Sequence, residues 1–360
     1  MTTQTQVAHD IDDFLREMLK KNGSDLHFLA GDPPRVRIHG ELQELRPARL
    51  ERDEAEKALY QIMSGIDQQD FKDRDSTDFA YSLGDIGRFR VNVFRHINGV
   101  GAVFRAIPSQ AKTIDELGLP DVVKNLCRQT QGLILVTGKT GSGKSTTLAA
   151  MIDAVNIRMK GHIVTIEDPI EFVHERKGCL ISQREVGVHS RDFSSALHSA
   201  LREDPDVVLV GELRDYETMS IAVTAAEMGI LVMGTLHTNG ASQTVDRIIN
   251  SFPADKQGQI RTMLSTSLRG VISQQLIPTK GKPGRIAALE IMVNTPAIGN
   301  LLRQGKLDML ENAMQSGGAM GMKTMDMALQ DLYDRRFISG MHAYQNADNK
   351  QRFEKAKHEQ

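Results

Sequence analysis

Residues 132–147 read Gly-Leu-Ile-Leu-Val-Thr-Gly-Lys-Thr-Gly-Ser-Gly-Lys-Ser-Thr-Thr, and the fold turns on this stretch. The apolar run Leu133 to Val136 predicts a buried strand, Gly138, Gly141 and Gly143 permit a tight backbone turn, and Lys144 opens a helix-like stretch, Ser145 to Met159. Strand, spacing, Lys-Ser and helix together make the full phosphate-loop pattern. The glycines let amide groups close around phosphates, and the helix N-terminus adds its positive dipole end. In such a loop Lys144 reaches the β and γ phosphates and the Ser145 hydroxyl coordinates magnesium. The expected ATP-binding set is Gly138, Thr140, Gly141, Ser142, Gly143, Lys144, Ser145 and Thr146.

On the carboxyl side, strands and helices alternate: Leu133 to Thr137, helix 144–159, His162 to Glu167, helix 192–202, Val207 to Val210, helix 215–227, Ile230 to Thr235. Alternation of this kind predicts a largely parallel sheet flanked by helices, with ligands at the carboxyl ends of its strands. Acids and a histidine stand at those ends. Val207 to Val210 runs into Gly211-Glu212, an apolar run then an acid, like the Walker B element of phosphate-loop ATPases. Gly211 occupies the usual aspartate position, which leaves Glu212 to act on magnesium through water or on the attacking water itself. His162 to Ile166 runs into Glu167-Asp168-Pro169-Ile170-Glu171, and one of these carboxylates is a general-base candidate. Gly234-Thr235-Leu236-His237-Thr238-Asn239 brings His237 to a further strand end, where it would sense the γ-phosphate. Arg202, Arg214 and Arg247 lie near these elements in sequence. Beyond Pro278 come a strand, Arg285 to Val293, and helical stretches near 297–304, 307–315 and 323–335.

On the amino side, Ile11, Phe14, Leu15, Met18 and Leu19 predict an amphipathic helix over 10–21, ended by Asn22-Gly23. Asp25 to Ala30 and Arg35 to His39 flank the turn Gly31-Asp32-Pro33-Pro34 and predict a hairpin. A helical stretch over 51–73 and strands at Asp78 to Leu83, Arg88 to Arg95 and Val100 to Ile107 complete a small α+β domain. Phe89, Val91 and Val93 alternate with Arg88, Arg90 and Asn92. With Arg95 and, on the next strand, Arg105, the sheet is expected to present several guanidinium groups to one surface. The expected layout is an N-terminal domain over 1–107, a Pro-bounded linker over 108–120, an ATPase core over 121–293, a helical region over 294–348 and a loose charged tail over 349–360.

Composition narrows the function. Forty-four Lys and Arg against 46 Asp and Glu give a formal net charge of −2, and aromatics are 5%, so bulk electrostatics and stacking both weigh against nucleic acid. Cys127 and Cys179 form no zinc-ligand set and no disulfide framework. Met1 to Asp13 carry no signal peptide, and no run reaches the roughly 20 apolar residues of a membrane span. A cytoplasmic location is expected.

Taken together these motifs resemble the type IV pilus retraction ATPases of the PilT and PilU type, within the wider type II/IV secretion ATPase superfamily. The likeness runs from Gly23-Ser24-Asp25-Leu26-His27 through Gly87-Arg88-Phe89-Arg90-Val91-Asn92, the phosphate loop, Ile166 to Glu171, Leu201-Arg202, Asp204-Pro205-Asp206 and Val210 to Asp215 to Leu236-His237-Thr238-Asn239. The resemblance implies an α/β protein with a RecA-like P-loop ATPase core and a smaller N-terminal PAS-like α+β domain. It implies a homo-hexamer that binds ATP and Mg2+ at subunit boundaries, peripheral at the inner-membrane base of a pilus machine. Glu167 to Glu171 would be the Asp box, Glu212 the Walker B acid and His237 the His box, with Glu171 and Glu212 sharing metal positioning and water activation. Arg90, Arg95 and Arg105 would approach the nucleotide, with Arg202 and Arg247 as weaker candidates. Implied partners are an inner-membrane platform protein and a paralogous pilus ATPase. Two departures stand out: Lys139 replaces a proline usual in relatives, and Gly299 and Gln304 replace Arg and Glu in the segment Pro296 to Gln304. The implied function is a motor coupling ATP hydrolysis to pilus retraction and twitching motility. The alternatives are a pilus-assembly or type II secretion motor, a nucleic-acid translocase on the same core, and an ATP-binding regulatory ring.

Overall fold

Ile11, Phe14, Leu15 and Met18 are buried at helical spacing, and they form the inner stripe of the first element, α1 (Thr3–Lys20). The computed structural model describes residues 3–38, 40–84, 86–108, 111–281 and 284–358, with side chains from residue 11 onward, and it divides into two compact units, 1–109 and 110–360. After α1 the first unit contains β1 (Asp25–Leu29), β2 (Arg35–Ile38), β3 (Glu41–Glu44), α2 (Arg52–Ile62), α3 (Gly65–Arg74), β4 (Ser76–Leu83), β5 (Gly87–His96) and β6 (Gly99–Ile107). The expected strand end at His39 lies outside the described residues. The strands form one antiparallel sheet in the order β3-β2-β1-β6-β5-β4. Phe28, Phe71, Phe89 and Phe104 fill its core.

The helical stretch expected over 51–73 folds as two helices. The first ends at Ile62, where Met63 turns extended, and Ser64 caps the second: its hydroxyl accepts from the Asp67 amide at 3.2 Å, and the Asp67 carboxylate accepts from the Ser64 amide at 3.0 Å. That reciprocal box satisfies two donors a continuous helix would have paired along its axis, so the chain bends there.

The second unit opens with α4 (Asp121–Cys127) and β7 (Gly132–Thr137), followed by α5 (Lys144–Arg158), β8 (His162–Glu167), β9 (Leu180–Glu185), α6 (Phe193–Ala200), β10 (Val207–Val210) and α7 (Tyr216–Glu227). It continues with β11 (Leu231–Leu236), α8 (Ala241–Asn250), α9 (Gln257–Ser267), β12 (Leu268–Pro278) and β13 (Arg285–Val293). The sheet order is β13-β12-β7-β11-β10-β8-β9, parallel throughout except for β13, which runs antiparallel to β12. Every residue of β7, β10 and β11 is buried, as a parallel sheet covered on both faces by helices requires. Strands β9 and β12 have no counterpart among the sequence expectations. Ile114 and Leu119 are buried in this unit's core, so the stretch expected as a linker is anchored to it at those two residues; residues 109 and 110 lie outside the described residues.

The C-terminal helices are α10 (Pro296–Gln304), α11 (Leu310–Ser316), α12 (Met325–Asp334) and α13 (Gly340–Asn346). The tail expected to be loose is packed as far as it is described. The Asp326 carboxylate accepts from the Asp348 and Asn349 amides at 2.9 and 3.0 Å, and Phe353, 1% exposed, joins a cluster with Met325, Leu329 and Ile338. Among the described residues no helix is long and apolar enough to cross a membrane.

Candidate active site

Four strand ends build the site. Because β11 lies between β7 and β10, with β8 beyond, the loops after these parallel strands open on one edge of the sheet. The loop after β7 is the phosphate loop. Gly138 and Gly143 hold φ of 139° and 88°, and a Cβ on either would press on Gln274 of β12, so only glycine fits there. Lys144 is buried, and its Nζ donates to the carbonyls of Gly138 at 2.8 Å and Lys139 at 3.1 Å. Burial holds its ammonium below the usual lysine range, while the Glu212 charge pulls the other way. The Ser142 hydroxyl is buried without a hydrogen-bond partner, and no side chain caps the N-terminus of α5. An unpaired donor, a cation and uncapped amides at one turn are the residues a phosphate group would satisfy. Thr140 and Ser145 are exposed and Thr146 is half-buried on the same turn.

Glu212 leaves β10 with its carboxylate between Arg214 and His237. Its Oε2 lies 2.7 Å from Arg214 Nε, and its Oε1 lies 3.3 Å from Nε2 of His237, which follows β11. These three side chains line a cleft of about 340 Å³ together with Leu213, Leu236, Thr238 and Arg247. The structure therefore brings Glu212, His237 and Arg247 together. Arg202 is elsewhere: its Nη1 meets His198 Nδ1 at 2.9 Å on the surface, and it does not line the cleft.

The carboxylates at the end of β8 and in the turn beyond it have different surroundings. Glu167 is buried and accepts from Thr165 Oγ1 at 2.7 Å, from Gln183 Nε2 at 3.3 Å and from the Glu171 amide at 3.3 Å. Burial pushes its carboxyl above the usual range, against these hydrogen bonds. Glu167 is the internal brace of the turn, and Glu171 is the exposed carboxylate that the brace presents.

Two polar side chains hold the segment after His237, and sequence reasoning missed both. Ser273 of β12 and Glu290 of β13 face each other in register. Ser273 Oγ accepts from the Gly240 amide at 2.8 Å, and Glu290 accepts from the Ala241 amide at 2.6 Å and the Met325 amide at 3.0 Å. The signal was a pair of polar residues, Ser273 and Gln274, inside an apolar run.

In the first unit, Arg90 and Arg105 are directly opposite on β5 and β6 and share one face. Arg90 Nε lies 3.8 Å from Asp78, and Arg105 Nε lies 2.8 Å from Asp25. Arg95 does not share that face. It has the parity of the buried Phe89, Val91 and Val93, meets Asp75 at 2.8 Å and stacks over Phe71 with 4.9 Å to the ring centroid.

The family model of type II/IV secretion system proteins matches residues 1–334. The chain is 50% identical to the type IV pilus retractation ATPase PilT of Pseudomonas aeruginosa over 338 residues, covering 94% of this chain and 98% of that one. It is 44% identical to a twitching motility protein of Neisseria gonorrhoeae over 343 residues, 95% and 92% of the two chains. Among solved structures, the pilus retraction motor PilT with bound ADP superposes with a TM-score of 0.89 at 43% identity, covering 96% of this chain and 99% of that one.

Proposed function

The chain belongs to the type II/IV secretion system protein family, and on that premise we propose that it is the ATP-hydrolysing motor of type IV pilus retraction. It would work as a homo-hexamer on the cytoplasmic side of the inner membrane, against a platform protein of the pilus machine. What supports the assignment at the site is the geometry of the phosphate loop: the buried Lys144 is held by the Gly138 and Lys139 carbonyls beside the unpartnered Ser142 hydroxyl, and Glu212, held between Arg214 and His237, leaves β10 of the same sheet.

From this geometry the chemistry follows in terms of the chain's own groups. Lys144 exchanges its two carbonyl partners for phosphate oxygens, and Ser142 Oγ gains the partner it lacks. Ser145, and Glu212 through water, would hold magnesium, whose charge offsets that of the phosphates. Glu171 and Glu212 orient the attacking water, and His237, with its Nε2 3.3 Å from Glu212, registers whether the γ-phosphate is in place. Cationic charge on the transferring group would come from arginines: Arg247 lines the cleft, and Arg90 and Arg105, exposed on the sheet face of the first unit, are further candidates.

Steady-state phosphate release tests the enzymatic half: Lys144→Ala should abolish it, and equal rates for both proteins would remove the hydrolytic claim. Deleting the gene tests the direction of work. Hyperpiliated cells that cannot twitch are expected, and bald cells would point to assembly instead.

A further inference from the structure

Gln274 is a neutral amide 3% exposed in the middle of β12, between strands β7 and β13. Both ends of that amide are used on the phosphate-loop segment. Its Oε1 accepts from Thr147 Oγ1, one turn into α5, at 2.7 Å, and its Nε2 donates to the Ser142 carbonyl at 2.8 Å. Its backbone carbonyl blocks any Cβ on Gly138, and its Nε2 would stand 2.7 Å from a Cβ on Gly143. A Cβ on Gly141 would meet nothing within 4 Å. One residue thus fixes the start and end of the loop and the first turn of the helix, and leaves the outer bend untouched.

The consequence lies in the peptide joining Ser142 to Gly143. A trans peptide directs its C=O and N–H to opposite sides. Tying the Ser142 carbonyl to Gln274 therefore turns the Gly143 amide away from β12, to the side on which an anion is received. With the carbonyl released, that peptide is free to rotate, and glycine at 143 does nothing to oppose it.

We propose that Gln274 is a positioning residue for nucleotide binding: its side-chain amide locks the Ser142–Gly143 peptide and the first turn of α5, and so aims the amides and Lys144 at the phosphates. The inference rests on the assignment of this loop to ATP.

The test uses the full chain, equilibrium binding of a fluorescent ADP derivative, steady-state hydrolysis and thermal melting. Gln274→Met keeps the volume and loses both hydrogen bonds; it should weaken binding about tenfold and raise KM more than it lowers kcat. Gln274→Glu keeps the acceptor for Thr147 but, when ionised, cannot donate to Ser142. Its affinity relative to wild type should be poorest near pH 8 and recover as the pH is lowered toward 5, where the protonated acid regains the donor. Wild-type affinity in both variants, with only the melting temperature lowered, would reduce Gln274 to packing. Should Gln274→Met fail to fold, Thr147→Val, expected to bind several-fold more weakly, and the pH series on Gln274→Glu decide. Lys144→Ala separates the two layers: binding lost there but intact in the Gln274 variants overturns this proposal alone, and a wild-type chain that binds no nucleotide overturns the ATP assignment with it.

Discussion

One carboxylate faces two nitrogen partners at Glu212, with Arg214 Nε at 2.7 Å and His237 Nε2 at 3.3 Å. A carboxylate so held is fixed in direction before any water or metal arrives, which is what a positioning acid requires. Glu212→Gln keeps the shape and removes the charge; it should bind nucleotide near wild-type affinity and hydrolyse it on the order of 10²-fold more slowly, read by parallel binding and phosphate-release assays. A second residue sets a pH limit on the first unit. Burial, with the Arg37 charge next, holds the His27 imidazole below its usual range, against Asp25 and with Arg105 adding to the effect, and its Nε2 is buried without a partner. The unfolded chain binds the proton first, so this stabilisation is complete above about pH 6.5 and is lost as the pH falls through that value toward the folded one. His27→Gln should melt with a flatter pH profile between pH 7 and 5; a profile as steep as wild type would clear His27 of the effect.

Among elements, the bend at Ser64 and the packing of α10 have physical causes that single substitutions expose. Ser64→Ala removes one half of the capping box and should cost about 1 kcal/mol, read by denaturant unfolding. Gly299 lies where a Cβ would come 2.9 Å from the Ser265 carbonyl of α9, while Ile298 and Leu302 are buried in the core. The glycine that departs from the relatives' arginine therefore lets α10 lie close on α9. Gly299→Arg should destabilise the protein by about 1–3 kcal/mol unless α10 moves, and a variant as stable as wild type would show that it does. The phosphate-loop strand, β8, β10 and β11 were legible because their apolar runs match a strand buried on both faces. By contrast β12 was not, because Ser273 and Gln274 interrupt its run, and their burial makes sense only once Gly240, Thr147 and Ser142 are seen to bond them. In the same way the tail reads as solvated from its charge, and Phe353 and the two amides on Asp326 hold it down.

For the whole molecule, near-balanced charge and a strand-end site predict a motor that acts on protein partners. Adding DNA should leave the hydrolysis rate unchanged; stimulation that falls steeply with salt would favour a translocase. Analytical ultracentrifugation with nucleotide should find six copies together, and hydrolysis at full rate by a species that stays monomeric would leave a motor nothing to move.

The sequence by itself determined the phosphate loop, the alternation behind the parallel sheet and the strand ends that carry Glu212 and His237, because these follow from local periodicity and from spacing within one turn. Only the tertiary structure decided that Arg95 faces away from Arg90 and Arg105, that Glu167 braces the turn which exposes Glu171, that Arg202 is outside the cleft, and that Gln274 holds Ser142 from 132 positions away. Such pairings depend on sheet order and on the register between strands, and neither is encoded in the neighbourhood of any one residue.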